Sequence, residues 1–279
     1  MSIKIQNLEY IYNSKTVFES TALNNINCEI QNGEFIGIIG HTGSGKSTLI
    51  QQLNGLLKPT NGTIFIDDLI INKETKKFLD IRKKVGVSFQ YADYQLFEDT
   101  VENDISYGPK NLGYSDIEIS KMVNDIIKIM GLDEDILKKS PFELSGGQKK
   151  IVAIAGILVM KPDVLVLDEP TVGLDPKSKK EVLDVIYRYH MSKKENITIL
   201  VSHSMEDIFY YADKILVLEK GKIKFFDDKS EIYDKIDELK KIGLDIPEIT
   251  KIILELNKSG FKIDKSISDI DLLVEEILK

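Results

Sequence analysis

Nine consecutive residues, Gly40-His41-Thr42-Gly43-Ser44-Gly45-Lys46-Ser47-Thr48, place glycines, a lysine and hydroxyls at the spacing that wraps backbone N–H groups around phosphate oxygens. The glycines let the chain close on an anion, and the start of the following helix adds a positive dipole end. Lys46 supplies a mobile charge near β- and γ-phosphates, and Ser47 offers a hydroxyl to Mg2+. The pattern carries weight only between a strand and a helix. The apolar run Phe35 to Ile39 before it and the periodic segment Leu49 to Leu57 after it meet both conditions.

A second set of groups suits hydrolysis. Val164-Leu-Val-Leu-Asp168-Glu169 sets two acids at the end of an apolar strand, where a carboxylate is costly to bury unless a cation or a proton transfer uses it. Asp168 is the natural Mg2+ holder, and Glu169 the candidate base for water attacking a γ-phosphate. Leu144-Ser145-Gly146-Gly147-Gln148 precedes a long apolar helix, so Ser145 can cap that helix while the glycines bare its N–H groups to an anion. Two anion-facing helix starts but one pair of hydrolytic acids suggest two subunits, each lending half of a shared site.

Three further side chains have two readings each. His203, at the end of the strand-like Ile197 to Val201 region, either hydrogen-bonds a γ-phosphate or is structural. Gln90, after Val85 to Phe89, either meets Mg2+ or the attacking water or is an ordinary loop amide. Tyr12 either stacks on adenine or packs within edge strands. His41 holds a variable place in the phosphate loop and His190 lies in a helical stretch; neither side chain is assigned a role.

These groups need a rigid frame. Glu34 to Gly40, Val164 to Leu167, Ile197 to Val201 and Ile215 to Leu218 are apolar on successive residues, as strands of a parallel sheet covered on both faces must be. Residues 3–10 and 63–67 read as an antiparallel edge sheet. Residues of about 100–160 hold no convincing strand, and Asp116 to Met130 has helical periodicity, which predicts a helical insertion of about 95–160. Beyond Gly221, three helical stretches separated by Gly243, Pro247 and Gly260 predict a C-terminal module over 226–279. The expectation is an α/β cassette over 1–225 followed by that module.

Bulk properties bound the rest. A chain of 279 residues suits one large domain and a small appendage. With 37 Lys and Arg against 45 Asp and Glu, the net charge of −8 argues against a nucleic-acid partner. Cys28 is the single cysteine, which excludes an intrachain disulfide framework and fits a reducing cytosol. The opening Met-Ser-Ile-Lys-Ile-Gln has no secretory pattern. The longest apolar run, Ile151 to Met160, is roughly half the ~20 residues that span a bilayer, so any membrane pathway is expected in other chains.

Taken together, the phosphate loop, Gln90, Leu144 to Gln148, Asp168-Glu169, Gly173-Leu-Asp175 and His203 resemble the ATP-binding-cassette ATPases in order and spacing. The finer text is similar to the ATPases of energy-coupling factor (ECF) transporters, the CbiO-like group, and most nearly to the second of their paired ATPases. It includes Asn54-Gly-Leu-Leu-Lys-Pro-Thr60, Tyr94-Gln-Leu-Phe-Glu-Asp-Thr-Val101, Tyr107-Gly-Pro-Lys-Asn-Leu-Gly113, Ser140 to Gln148 and Ala153-Ile-Ala-Gly156. The likeness is dense from about residue 3 to 225 and looser beyond.

That resemblance implies a P-loop NTPase (RecA-like) core, an antiparallel β subdomain, a helical subdomain carrying the signature, and head-to-tail dimers sharing ATP. It implies adenine stacking by Tyr12, phosphate and Mg2+ binding by Lys46, Ser47 and Thr48, and coupling to the membrane subunit through Gln90. Asp175 would couple the two sites, with Glu169 as base and His203 as γ-phosphate switch. The implied partners are a homologous ATPase, forming a heterodimer or else a homodimer, a transmembrane coupling protein, and a small membrane protein that captures a vitamin or transition-metal ion. The C-terminal helices would hold the ATPases together at the cytoplasmic face of the membrane. Ala92 stands where Pro is common, and Lys149-Lys150 where arginines are common, which changes docking detail because lysine lacks the planar fork. The rival functions are a soluble cassette ATPase of DNA repair or translation, and a nucleotide-gated scaffold.

Overall fold

A strand that is apolar at every position needs cover on both faces, and the central sheet has it. The computed structural model describes residues 2–278. Its elements run β1 (Ile3–Tyr12), β2 (Ser20–Ile30), β3 (Phe35–Ile39), α1 (Lys46–Leu53), β4 (Asn61–Ile66), β5 (Leu69–Ile71), α2 (Leu79–Lys84) and β6 (Val85–Ser88). Then come α3 (Val101–Asn111), α4 (Asp116–Met130), α5 (Gly146–Leu158), β7 (Val164–Asp168), α6 (Pro176–Met191), β8 (Ile197–Val201), α7 (Met205–Tyr211), β9 (Lys214–Glu219) and β10 (Lys222–Asp228). The chain closes with α8 (Lys229–Ile232), α9 (Ile236–Lys241), α10 (Glu248–Lys258) and α11 (Ile270–Ile277).

The larger sheet has the order β10-β9-β3-β8-β7-β6. All its pairings are parallel except that of β10, which runs antiparallel to β9 at the edge. Alternate residues serve two cores. Ile36, Ile38, Val164, Val166, Ile199 and Val201 face the four-stranded antiparallel sheet β2-β1-β4-β5 and α1. Phe35, Ile39, Leu165, Leu167 and Leu200 face the helical side.

The segment between β6 and β7 is helical, as its periodicity predicts. Helix α4 begins at a reciprocal cap between Ser115 and Glu118 and ends at Gly131, which takes a left-handed conformation at φ 66°. It buries Ile119, Val123, Ile126, Ile127 and Met130. The C-terminal helices begin later than position 226, because β10 continues pairing to Asp228 against Lys214. Ile232, Ile236 and Leu239 join the main core, while Ile253, Ile263 and Leu273 form a small core of their own.

This topology sets the site. Strands β6, β7, β8 and β3 are adjacent and parallel, so Gln90, Asp168-Glu169, His203 and the loop 40–48 all emerge at one carboxyl edge, where ligands bind in open α/β sheets.

Candidate ATP site

At that edge a cavity of about 450 Å³ is lined by the phosphate loop and by Tyr12, Gln90, Asp168, Glu169 and His203. Within the loop, Thr42, Gly43, Gly45, Lys46, Ser47 and Thr48 form the wall. Gly45 precedes α1 at φ 106°, and a Cβ there would lie 2.6 Å from the carbonyl of Ala22, so the position admits only glycine. The Lys46 ammonium donates to the carbonyls of Gly40 at 2.6 Å and His41 at 3.1 Å, folded back across its own loop. Burial lowers its pKa, opposed by Glu169 and Asp168.

The two acids at the end of β7 differ. Asp168 accepts a hydrogen bond from Ser47, while burial holds its pKa above the usual carboxylate range. Glu169 sits at φ 51°, its N–H bonded to the carbonyl of Val201 on β8 at 3.0 Å. That backbone turn aims its carboxyl into the cavity. Burial is the main cause that pushes Glu169 up to about 7, against the backbone N–H of His203. One carboxyl oxygen, Oε1, has no hydrogen-bond partner and stands 3.5 Å from Nε2 of His203. The imidazole pKa is lowered by burial and then by Lys46.

The donor set fits Mg2+. Ser47 and Asp168 offer hard oxygens already drawn together, and the buried carboxylate calls for a cation. Among the described residues no cluster of three or more His, Cys, Asp or Glu exists to hold a metal, so ligands from phosphates would complete the shell.

At the mouth, the Tyr12 hydroxyl bonds Thr48 Oγ1 at 3.1 Å and its ring meets Tyr10 edge-on at 4.8 Å. Ser20, Thr21 and Ala22 at the start of β2 also line the cavity. Sequence reasoning does not single them out, because their approach depends on how the two sheets pack.

Other expected residues lie elsewhere. Ser145 caps α5 reciprocally with Gln148, and Ser145, Gly146 and Gln148 are exposed and outside the cavity wall. Gly147 is buried, and a Cβ there would approach the Cβ of Ser178 to 2.8 Å, so any side chain at this position would press on α6. Asp175 caps α6 and takes a 2.6 Å hydrogen bond from Ser178, which holds its carboxyl below the usual range. Gly40 and Ser44, also in the loop, are buried and do not line the cavity. The His41 ring turns away from the cradle and bonds the carbonyl of Ile242 in the C-terminal module, so only its backbone serves the loop. His190 is a core residue bonded to Thr198 at 3.0 Å. Lys150 is buried and donates to the carbonyl of Val172, tying α5 to the loop that carries Asp175.

The ABC transporter family pattern matches residues 23–172. The energy-coupling factor transporter ATP-binding protein EcfA2 of Clostridium perfringens (strain 13 / Type A) is 53% identical over 281 residues, covering 100% of this chain and 98% of that protein. EcfA2 of Clostridioides difficile (strain 630) is 48% identical over 282 residues, covering 100% and 97%. Among solved structures, cbiO1 from Clostridium perfringens, described as part of the ABC transporter complex cbiONQ, superposes with a TM-score of 0.76 at 35% identity, covering 90% of this chain and 98% of that one. The ATP-binding cassette MJ0796, as a dimer bound to ADP and Pi, superposes at 0.70 and 28% identity, covering 81% and 98%. This chain therefore belongs to the ABC transporter family, as an ATPase of the energy-coupling factor branch.

Proposed function

We propose that the chain hydrolyses ATP in a site completed by a second, homologous ATPase, and that this drives uptake of a vitamin or transition-metal ion through a membrane complex. The carrying observation is a separation: the phosphate loop and acids share one cavity, while the capped, anion-ready start of α5 is exposed outside it. A neighbour's α5 start would close the cavity, and this chain's would close the neighbour's. A heterodimer is the proposed form.

In that site Tyr12 stacks the base and the loop 40–48 with Lys46 cradles the phosphates. Ser47, Asp168 and Gln90 would hold Mg2+, which when bound offsets charge on the β- and γ-phosphates. Glu169 takes a proton from the water whose oxygen attacks the γ-phosphorus as the bond to ADP breaks, a role suited to its pKa of about 7. His203 reports the γ-phosphate, and Asp175 at the head of α6 links one site to the other.

Two surfaces support the partners. A groove of about 360 Å³ beside Gln90 is lined by Phe89, Leu96, Phe97, Tyr107 and Val152, and suits a short amphipathic helix of a transmembrane coupling protein. In the C-terminal module Ile252, Ile270, Leu272 and Val274 stay exposed, apolar area suited to dimerisation. Among the described residues no helix is long and apolar enough to cross a membrane, which agrees with a peripheral subunit at the cytoplasmic face. A small membrane protein would capture the substrate.

Affinity purification from gently solubilised membranes, with mass spectrometry, tests the reading. It predicts recovery of a second cassette ATPase and a polytopic membrane protein. Recovery of ribosomes or DNA-repair proteins instead would leave an ATPase with a soluble task.

A further inference from the structure

The first turns of α6 and α7 meet at one lysine. The Lys179 ammonium donates to Ser204 Oγ at 3.0 Å and stands 2.9 Å from Oδ1 of Asp207. The Asp207 side chain is 8% exposed and that of Lys179 30%, so the pair is largely withdrawn from water. Ser204 caps α7 through the N–H of Asp207, and its own N–H donates to Ser202 Oγ at 3.0 Å. His203 lies between these two serines, on the turn that leaves β8.

The two helices differ in length. Helix α6 has 16 residues and is rooted in the core by Val182, Leu183, Val185, Ile186 and Tyr189. Helix α7 has only 7 residues; Met205, Ile208 and Phe209 bury it in the same core, and its entry is set by the Ser204 cap and the contact from Lys179. A charge-assisted bond from the rigid helix to the cap of the short one fixes where that entry sits. The neighbouring Lys180 pairs at 3.6 Å with Asp184 on the exposed side of α6.

We propose that Lys179 is a positioning residue for ATP hydrolysis: by clamping Ser204 and Asp207 at the head of α7 it holds the His203 imidazole toward the γ-phosphate end of the cavity. The proposal rests on the reading of His203 given above. A purely structural ion pair would stabilise the fold equally but leave the chemical step alone.

The test compares the purified transporter complex carrying Lys179→Met, Lys179→Arg, His203→Ala, Lys179→Met/His203→Ala or Lys179→Met/Asp207→Asn. The readouts are kcat, KM for ATP and melting temperature. Lys179→Met should lower kcat by about tenfold, the worth of one charge-assisted hydrogen bond, with KM within about twofold. Lys179→Arg should restore most of the rate. Lys179→Met/Asp207→Asn, which removes the orphaned buried carboxylate, should recover the melting temperature yet stay slow. Lys179→Met/His203→Ala should be no slower than His203→Ala. A wild-type kcat in folded Lys179→Met, or a kcat that recovers with the melting temperature in Lys179→Met/Asp207→Asn, would overturn the proposal. If His203→Ala hydrolyses at the wild-type rate, the switch reading fails and this proposal with it. A slow His203→Ala beside a fast Lys179→Met defeats this proposal alone.

Discussion

Oε1 of Glu169 and Nε2 of His203 face each other at 3.5 Å, closer than bulk solvent would separate them but beyond good hydrogen-bond distance. Burial has inverted the usual order of their pKa values, raising Glu169 to about 7 and lowering His203 below its ordinary value. At neutral pH the pair therefore does not form a stable ion pair. The two side chains stand side by side on the wall of the cavity, the candidate base next to a neutral imidazole, both open to whatever fills it.

The pH dependence follows from Glu169. A base works only when deprotonated, so kcat/KM should fall as pH drops below about 7. A pH–rate profile of the complex checks this; a flat profile from pH 6 to roughly 8 would count against Glu169.

Stability should run the other way. The folded pKa of Glu169 lies above the ordinary glutamate value of 4.5, so the folded state holds the proton more tightly. The stabilisation is full below 4.5 and is lost as pH rises through about 7. Glu169→Gln, which stays neutral, should therefore melt a few degrees higher than wild type at pH 8 in the absence of nucleotide. Calorimetry at pH 5 and pH 8 would show the difference widening with pH.

The Lys46 ammonium is held by two backbone carbonyls, whose place a bound phosphate would take. Lys46→Ala should weaken ATP binding roughly 10- to 100-fold, the worth of a charge-assisted contact. Equilibrium titration with a fluorescent ATP analogue measures it, and unchanged affinity would remove Lys46 from the phosphate site.

Tyr12 is tied to the loop through Thr48, so ring and hydroxyl can be separated. Tyr12→Ala should raise KM for ATP roughly 5- to 150-fold, as expected for ~1–3 kcal/mol of base stacking. Tyr12→Phe should stay within about threefold, since it keeps the ring. Equal losses in both variants would assign the effect to the hydroxyl.

Gly147 allows the proposed half-site at the start of α5 to be perturbed apart from the cavity. Gly147→Ala drives a methyl group against Ser178 and displaces the start of α5. Hydrolysis should fall by about tenfold while ATP affinity of the isolated chain holds within about twofold, because the cavity lies elsewhere. A matching loss of affinity would mean that the exposed α5 start is not a separate half-site.

Much of the frame is legible in the sequence. Strand β8 reads directly because both its faces are buried, and α4 reads directly because Ser115 and Gly131 mark its ends. Strand β2 does not. Register shifts against β1 space its buried Leu23, Ile26 and Ile30 by three and four residues, which mimics a helix and hides the period of two. In the site, Lys46 and Glu169 announce themselves through motif and strand-end placement, and shared lining of one cavity then brings Gln90, Tyr12 and His203 to them. Ser20 to Ala22 and Lys179 carry no local pattern, since their contacts arise only when distant elements pack.

Whether Glu169 is the base is decided by single-turnover hydrolysis in Glu169→Gln. With MgATP bound, the variant should hydrolyse at least about 100-fold more slowly than wild type while remaining a nucleotide-loaded dimer. A near-wild-type single-turnover rate would contradict the assignment of Glu169 as the base, and with it the account of how this cavity cleaves ATP.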